Sequence, residues 1–195
     1  QLKAFRSRAE ARFYEACRDQ LPNEIVVVHS AGWIYRDARG RVREGEADFT
    51  ILAPQVGIFA VEVKGGGIAH DAGSGRWYSV DRRGERHEIK DPFRQASNER
   101  HALLDQLVGH SAWRQWKGNR LTLGHAVFFP DINDSTTLQG PDRPRAIIGV
   151  AQDIAAIGAW FDSVCQFWRQ GGDDPLGSQG VRLAEEILRR SIEVR

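Results

Sequence analysis

Methionine is absent from the 195-residue sequence, even at position 1, so the chain is expected to be a piece of a longer protein. Cysteine is nearly absent: Cys17 and Cys165 stand far apart, at apolar positions of helical patterns, and form no CxxC pair. A disulfide framework or a thiolate zinc site needs more sulfurs in closer spacing. The two residues therefore read as reduced core thiols, as expected of a cytoplasmic protein. Long apolar runs are missing too, and the start Gln1-Leu2-Lys3-Ala4-Phe5-Arg6 lacks the apolar centre of a secretory signal, so neither a leader nor a membrane partner is expected. No sign of charge dominates, because 27 basic residues face 26 acidic ones for a net charge of +1. Any nucleic-acid contact must then come from local patches. Lysine is scarce, occurring only at positions 3, 64, 90 and 117; the arginine bias suits bidentate phosphate contacts and would equally follow from a GC-rich genome. The motifs GxSxG, GxxxxGK[ST] and HExxH are also missing, which leaves serine hydrolase, NTPase and zinc peptidase readings without support.

What is present suits one α/β domain over 1–195, with a core over about 7–150 and a helical part over 151–195. Phe5, Ala9, Phe13, Ala16 and Cys17 recur at helical spacing and predict a helix over roughly 6–20, which Pro22 ends. A β-branched run over 25–29 continues at 33–35 and gives way to an Arg-rich loop over 36–44. Two alternating strands follow over about 46–53 and 57–64, joined by a turn at 53–57. Short strands are predicted at 68–70, 76–80 and 86–89, giving a sheet of at least four strands. Asp91-Pro92 starts a helix that runs to about 108, and buried strands are predicted at 123–130 and 145–150. Helices near 151–169 and 179–193 close the chain.

The chemistry concentrates in Asp48 on the first alternating strand and in Glu62 and Lys64 on the second. Strand side chains alternate faces, so Asp48, Thr50 and Leu52 share one face, as do Ile58, Ala60, Glu62 and Lys64. If position 52 pairs with 58, position 48 falls opposite 62, with the two Cβ atoms roughly 5 Å apart. A slip of one residue would send Asp48 to the other face. Two hard carboxylates with few other ligands suit Mg²⁺ or Mn²⁺, and a neighbouring amine could orient or deprotonate water for attack on a phosphodiester. The competing reading is a solvated salt-bridge cluster on an open sheet face.

Taken in order, helix-borne Glu10, Glu46-Ala47-Asp48-Phe49, Ile58-Phe59-Ala60-Val61-Glu62-Val63-Lys64-Gly65-Gly66, Trp77 and Asp91-Pro92-Phe93-Arg94-Gln95-Ala96 resemble the nuclease-related domain (NERD) family of the PD-(D/E)xK nuclease superfamily. The resemblance spans roughly 7–130. It implies a restriction-endonuclease-like αβββαβ core, a mixed central sheet flanked by helices, followed here by C-terminal helices. It also implies a Mg²⁺-dependent DNA nuclease with Asp48, Glu62 and Lys64 in the catalytic positions, Glu10 as a further metal residue and Gln95 as a supporting one. Ala47 stands where the superfamily name has proline, a commonly relaxed position. Family members are often joined to helicase or kinase modules, yet nothing in this sequence resembles an ATP site. The alternatives are a non-catalytic nucleic-acid-binding or docking module of a larger helicase-type protein, and an RNA-cleaving nuclease.

Glu15 is a rival to Glu10 on the same helix. Arg94 and Arg100, together with Arg114 and Lys117 beside Trp113 and Trp116, are candidate nucleic-acid contacts. The same tryptophans would equally serve as the packed end of an amphipathic helix. His70 and His87 read as bystanders.

Overall fold

A computed structural model describes residues 5, 7–36, 42–81, 83–116 and 120–193, without the side chains of 30–36, 42–44 and 190–193. Helix α1 (Arg8–Gln20) is capped by Ser7, whose hydroxyl accepts the Glu10 amide proton, and buries Ala9, Phe13, Ala16 and Cys17. Strands β1 (Val26–Arg36), β2 (Val42–Leu52) and β3 (Gly57–Val63) form an antiparallel meander. Helix α2 (Pro92–Gly109) then carries the chain across to β7 (Thr122–Phe129), which lies parallel to β3, and β8 (Ile148–Val150) lies parallel to β7. The five-stranded sheet has the order β1-β2-β3-β7-β8. This is the expected mixed sheet between helical layers.

The two faces of the sheet have separate cores. On one, Phe13 of α1 meets Phe49 and Phe128, joined by Phe161 and Val164 of α4 (Ile157–Trp168). On the other, Leu52, Ile58 and Ala60 pack against Leu103 and Leu107 of α2 and Leu188 of α5 (Gly177–Glu193). A short helix α3 (Ser111–Gln115) links α2 to this second layer.

Four expectations are corrected. The short strands β4 (Gly67–Asp71), β5 (Arg76–Val80) and β6 (Arg86–Ile89) form a sheet of their own. Glycines after Lys64 turn the chain out of the main sheet, and Gly66 adopts a φ of 80°, a region that favours glycine. The strand expected at 145–150 begins only at Ile148, because Arg145–Ile147 is a 3-10 turn following Pro144, with the Arg145 guanidinium donating to the Ile148 carbonyl and to Asp153. The first stretch of the helix expected from 151 is likewise 3-10 (Ala151–Ala156), where the Asp153 carboxylate accepts the Val150 amide proton. Finally, β2 begins at Val42 and pairs with β1 as far as Arg36, so less of 36–44 is loop than the polar residues suggested.

Candidate metal centre

The site is built on the β2–β3 register. Leu52 pairs with Ile58, Ile51 with Phe59, Thr50 with Ala60 and Phe49 with Val61, so residues 48 and 62 belong to one face of the sheet, the face covered by α2. Beyond Phe49 the strands stop exchanging backbone bonds. There the Asp48 carboxylate takes over, its Oδ2 accepting the Val63 amide proton at 2.9 Å. Lys64 donates its own amide proton to the Phe128 carbonyl at 3.0 Å and so continues along β7. Its ammonium forms an ion pair with Glu62 Oε1. Just after it, the Gly66 amide donates to Asp131 Oδ2 at 2.8 Å while Arg12 of α1 holds Asp131 Oδ1 at 2.6 Å. The chain leaving Lys64 is thereby tied to α1.

Glu62 is 2 % exposed, and burial of a carboxylate to that degree requires compensation. Lys64 supplies one positive charge, but a second buried acid stands close by. Glu99 of α2, 6 % exposed, makes a side-chain hydrogen bond with Glu62, and its Oε2 has no hydrogen-bond partner. Burial, the Glu62 charge, the hydrogen bond to Glu62 and the Asp48 charge push the Glu99 carboxyl up to about 10, against a lowering by Lys64. Asp48 is pushed up to about 7 by burial and by Glu62, with a smaller contribution from Glu10, while the Val63 amide and Lys64 act in the opposite sense. Burial works against the Lys64 ammonium, yet Glu62, Asp48 and Glu99 more than offset it, and its pKa lies above the ordinary lysine value. Negative charge thus exceeds positive charge in a desolvated pocket. Protons, or a cation, must balance it.

Glu10 reaches this region from the opposite layer. Its Oε1 accepts from Ser7 Oγ at 2.9 Å and its Oε2 hydrogen-bonds His29 Nε2 at 2.9 Å. His29 lies across β1–β2 from Phe49 and against its ring, on the α1 face. Glu10 therefore influences Asp48 by charge, paired with a histidine that the sequence reading did not select. Glu15, its rival, is exposed. Gln95 is half-buried in the second turn of α2, four residues before Glu99 and so on the same side of the helix.

Of the candidate nucleic-acid residues, the three arginines that are described sit in different settings. Arg94 is exposed beside the Asp91 cap. Arg100 lies over the Trp168 ring at 4.8 Å, lining a cavity of about 290 Å³ with His101, Thr122 and Gln170. Arg114 donates to the carbonyls of Val108 and Gly109 at the end of α2, so its guanidinium caps a helix, and Trp113 is buried in the α2–α5 core. Lys117 lies outside the described residues. His70 packs on Trp77 with ring centroids 4.6 Å apart, in the small sheet.

The missed residue, Glu99, carried a signal. Phe93, Ala96, Ala102, Leu103 and Leu107 make the buried stripe of α2, and Glu99 occupies that stripe at apolar spacing. A carboxylate there needs a partner in the fold.

Among the described residues, the group of three potential ligands whose donor atoms all lie within 4.8 Å of one another is Asp81, Glu85 and His87, all exposed. Its arrangement has a local cause, since Asp81 Oδ1 accepts the Arg83 and Glu85 amide protons at 2.8 and 2.9 Å and closes the β5–β6 turn. The buried acids offer the better donor set. All are hard oxygens, as Mg²⁺ or Mn²⁺ prefers.

A mixed sheet with an acid on β2, an acid and a lysine on β3, and a helix crossing to a parallel β7 is the restriction-endonuclease-like arrangement. The family model of the nuclease-related domain (NERD) matches residues 6–130, and the chain belongs to that family. No curated protein and no solved structure matches the chain.

Proposed function

We propose that this nuclease-related domain is a divalent-metal-dependent DNA nuclease, with Asp48 and Glu62 holding Mg²⁺ or Mn²⁺. The observation that supports this most is the pairing of Leu52 with Ile58, which puts both acids on one face beside the Lys64 ammonium. A bound divalent cation supplies Lewis-acid stabilisation of the charge that develops on the phosphoryl oxygens.

The remaining roles belong to side chains. Lys64, held as an ammonium by Glu62, serves as a donor that orients the attacking water and offsets charge, rather than as a proton acceptor. In the hydrolysis a water oxygen bonds to phosphorus, the bond from phosphorus to the adjoining nucleotide oxygen breaks, and a water proton ends on that departing oxygen. The Glu10 carboxylate acts by charge on Asp48 and favours cation binding there. Gln95, a turn ahead of Glu99 on α2, takes the supporting role in this reading. The buried, unpaired thiols of Cys17 and Cys165 agree with a cytoplasmic setting. Among the described residues, no helix is long and apolar enough to cross a membrane.

The test is incubation with linear, circular, single-stranded and branched DNA, and with matched RNA, in Mg²⁺, in Mn²⁺ and in EDTA. DNA products that need the metal, reduced about 10²-fold or more in Lys64→Ala, are expected. Products from RNA alone would reassign the substrate. No product from any nucleic acid would leave a docking module.

A further inference from the structure

The first half of β7 is covered on its outer side by no neighbouring strand among the described residues. β8 pairs with Val127–Phe129, and Asp174 bridges the chain at Leu121. Between them Trp168 of α4 stands against the edge, its indole donating to the His125 carbonyl at 2.9 Å. A cavity of about 290 Å³ lies here, with Arg100 and His101 of α2, Thr122, Trp168, Gln170 and Asp173 in its wall. Thr122 lies opposite Gly57 and Val127 opposite Glu62, so the Thr122 wall stands roughly 17 Å back along the strands from Glu62.

Arg100 is held in this wall without being neutralised. Its guanidinium lies over the Trp168 ring at 4.8 Å, with one nitrogen 3.2 Å from His101 Nε2. His101 Nδ1 donates to the Ser97 carbonyl at 2.7 Å, so Nε2 of the neutral ring accepts from Arg100. Among the described residues no carboxylate pairs with Arg100, and burial works against its charge. A guanidinium over an aromatic ring keeps most of its N–H donors for a ligand, and its planar fork matches a phosphate.

The cavity also holds an acceptor. Asp173 Oδ2 takes the Gln170 amide proton at 3.0 Å and the Thr122 hydroxyl proton at 2.9 Å, and these bonds hold its carboxyl below the usual carboxylate range. Oδ1 is left to meet a donor. Arg120 and Arg169 add positive charge beside it, so the surroundings as a whole favour an anion. An unneutralised cation and an ionised acceptor that share a cavity without pairing suit a ligand anionic at one end and donating hydrogen bonds at the other.

We propose that this cavity binds one nucleotide unit, its phosphate on Arg100 and a hydroxyl or amine of its sugar or base on Asp173, the unit being free or the phosphorylated 5′ end of a strand. The volume falls at the small end of the range for ligand pockets, about 300–1,000 Å³, and admits a single unit rather than a duplex. The site needs no metal and stands apart from the nuclease reading.

The test is isothermal titration of the full chain in EDTA with 5′-dAMP, deoxyadenosine, inorganic phosphate, and a short single-stranded oligonucleotide with and without a 5′-phosphate. Wild type is compared with Arg100→Gln, Asp173→Asn and Arg18→Gln, the last removing an equal charge from α1. The phosphorylated probes should bind wild type and Arg18→Gln alike, and bind Arg100→Gln about tenfold or more weakly. Asp173→Asn should weaken 5′-dAMP and leave inorganic phosphate unchanged. Tighter binding of 5′-dAMP assigns the site to a free nucleotide, and tighter binding of the phosphorylated oligonucleotide assigns it to a strand end. Absence of binding by both, equal affinity in wild type and Arg100→Gln, or an equal loss in Arg18→Gln would overturn the site and leave the metal centre untouched. Should Arg100→Gln lose the native circular dichroism spectrum, wild type decides: equal affinity for 5′-dAMP and deoxyadenosine would overturn the proposal.

Discussion

Leu52 faces Ile58 across the β2–β3 turn, and from that pairing the alternation of strand side chains carries two acids to one face. Moved by one residue, the register would turn Asp48 into the α1 layer, among the phenylalanines around Phe13, and leave Glu62 without it. The pairing is held from both sides. Leu52 and Ile58 are themselves buried in the α2–α5 core, while Ile51 and Phe59 are buried towards α1 and α4.

Asp48→Asn keeps an oxygen that can accept the Val63 amide proton and removes a charge that burial and Glu62 disfavour. The metal-free variant is expected to be more stable than wild type near pH 8 by about 1 kcal/mol, or about 2–4 °C in melting temperature. Metal-dependent cleavage should be lost together with this gain. A lower melting temperature would show that the charge is already compensated.

Proton linkage gives a second prediction. Asp48 titrates at about 7 and Glu99 at about 10 in the folded chain, against about 3.9 and 4.3 for unfolded carboxyls. The folded state therefore holds more protons than the unfolded state between about pH 4 and pH 10, and the metal-free protein loses stability as pH rises through that window. Ions compete with those protons, so saturating Mg²⁺ should raise the melting temperature more at about pH 8.5 than at about pH 5.5. Scanning calorimetry at the two pH values checks this; an equal shift at both would contradict it.

The strand that carries Glu62 tolerates no side chain at its start. A methyl carbon at position 57 would lie 1.9 Å from the Thr122 carbonyl oxygen of β7, and backbone on both sides cannot give way without parting the strands. Gly57→Ala is expected to cost about 3 kcal/mol or more, measured by urea unfolding.

Cys17 and Cys165 are buried, and burial pushes both thiols up to about 12. Neither should react with a thiol-specific disulfide reagent at about pH 8 in the native state, and both should react at once in denaturant. Rapid native labelling of either would contradict the packing described around α1 and α4.

Much of the site was legible in the sequence because it rests on local rules. The alternation over 48–52 and 58–62 and a turn at 53–57 fix the faces of Asp48 and Glu62, and Asp91-Pro92 marks the start of α2, where Asp91 accepts the Phe93 and Arg94 amide protons. Glu99 was hidden because its partner is 37 residues away in sequence, and only the packing of α2 on β3 brings the two together. His29 was hidden for the same reason, since its bond to Glu10 joins α1 to β1. The small sheet escaped because β4, β5 and β6 look like any short strands, and nothing in their residues says which edge they join. Arg114 shows the converse. Its position beside two tryptophans suggested a nucleic-acid patch, but the unsatisfied carbonyls at the end of α2 claim its guanidinium.

The most direct measurement of the central claim is anomalous diffraction from crystals soaked in Mn²⁺. A peak bounded by the carboxylates of Asp48 and Glu62, absent in Glu62→Gln, is the predicted result. An empty pocket there, with manganese found only at Asp81, Glu85 and His87 or nowhere, would contradict it.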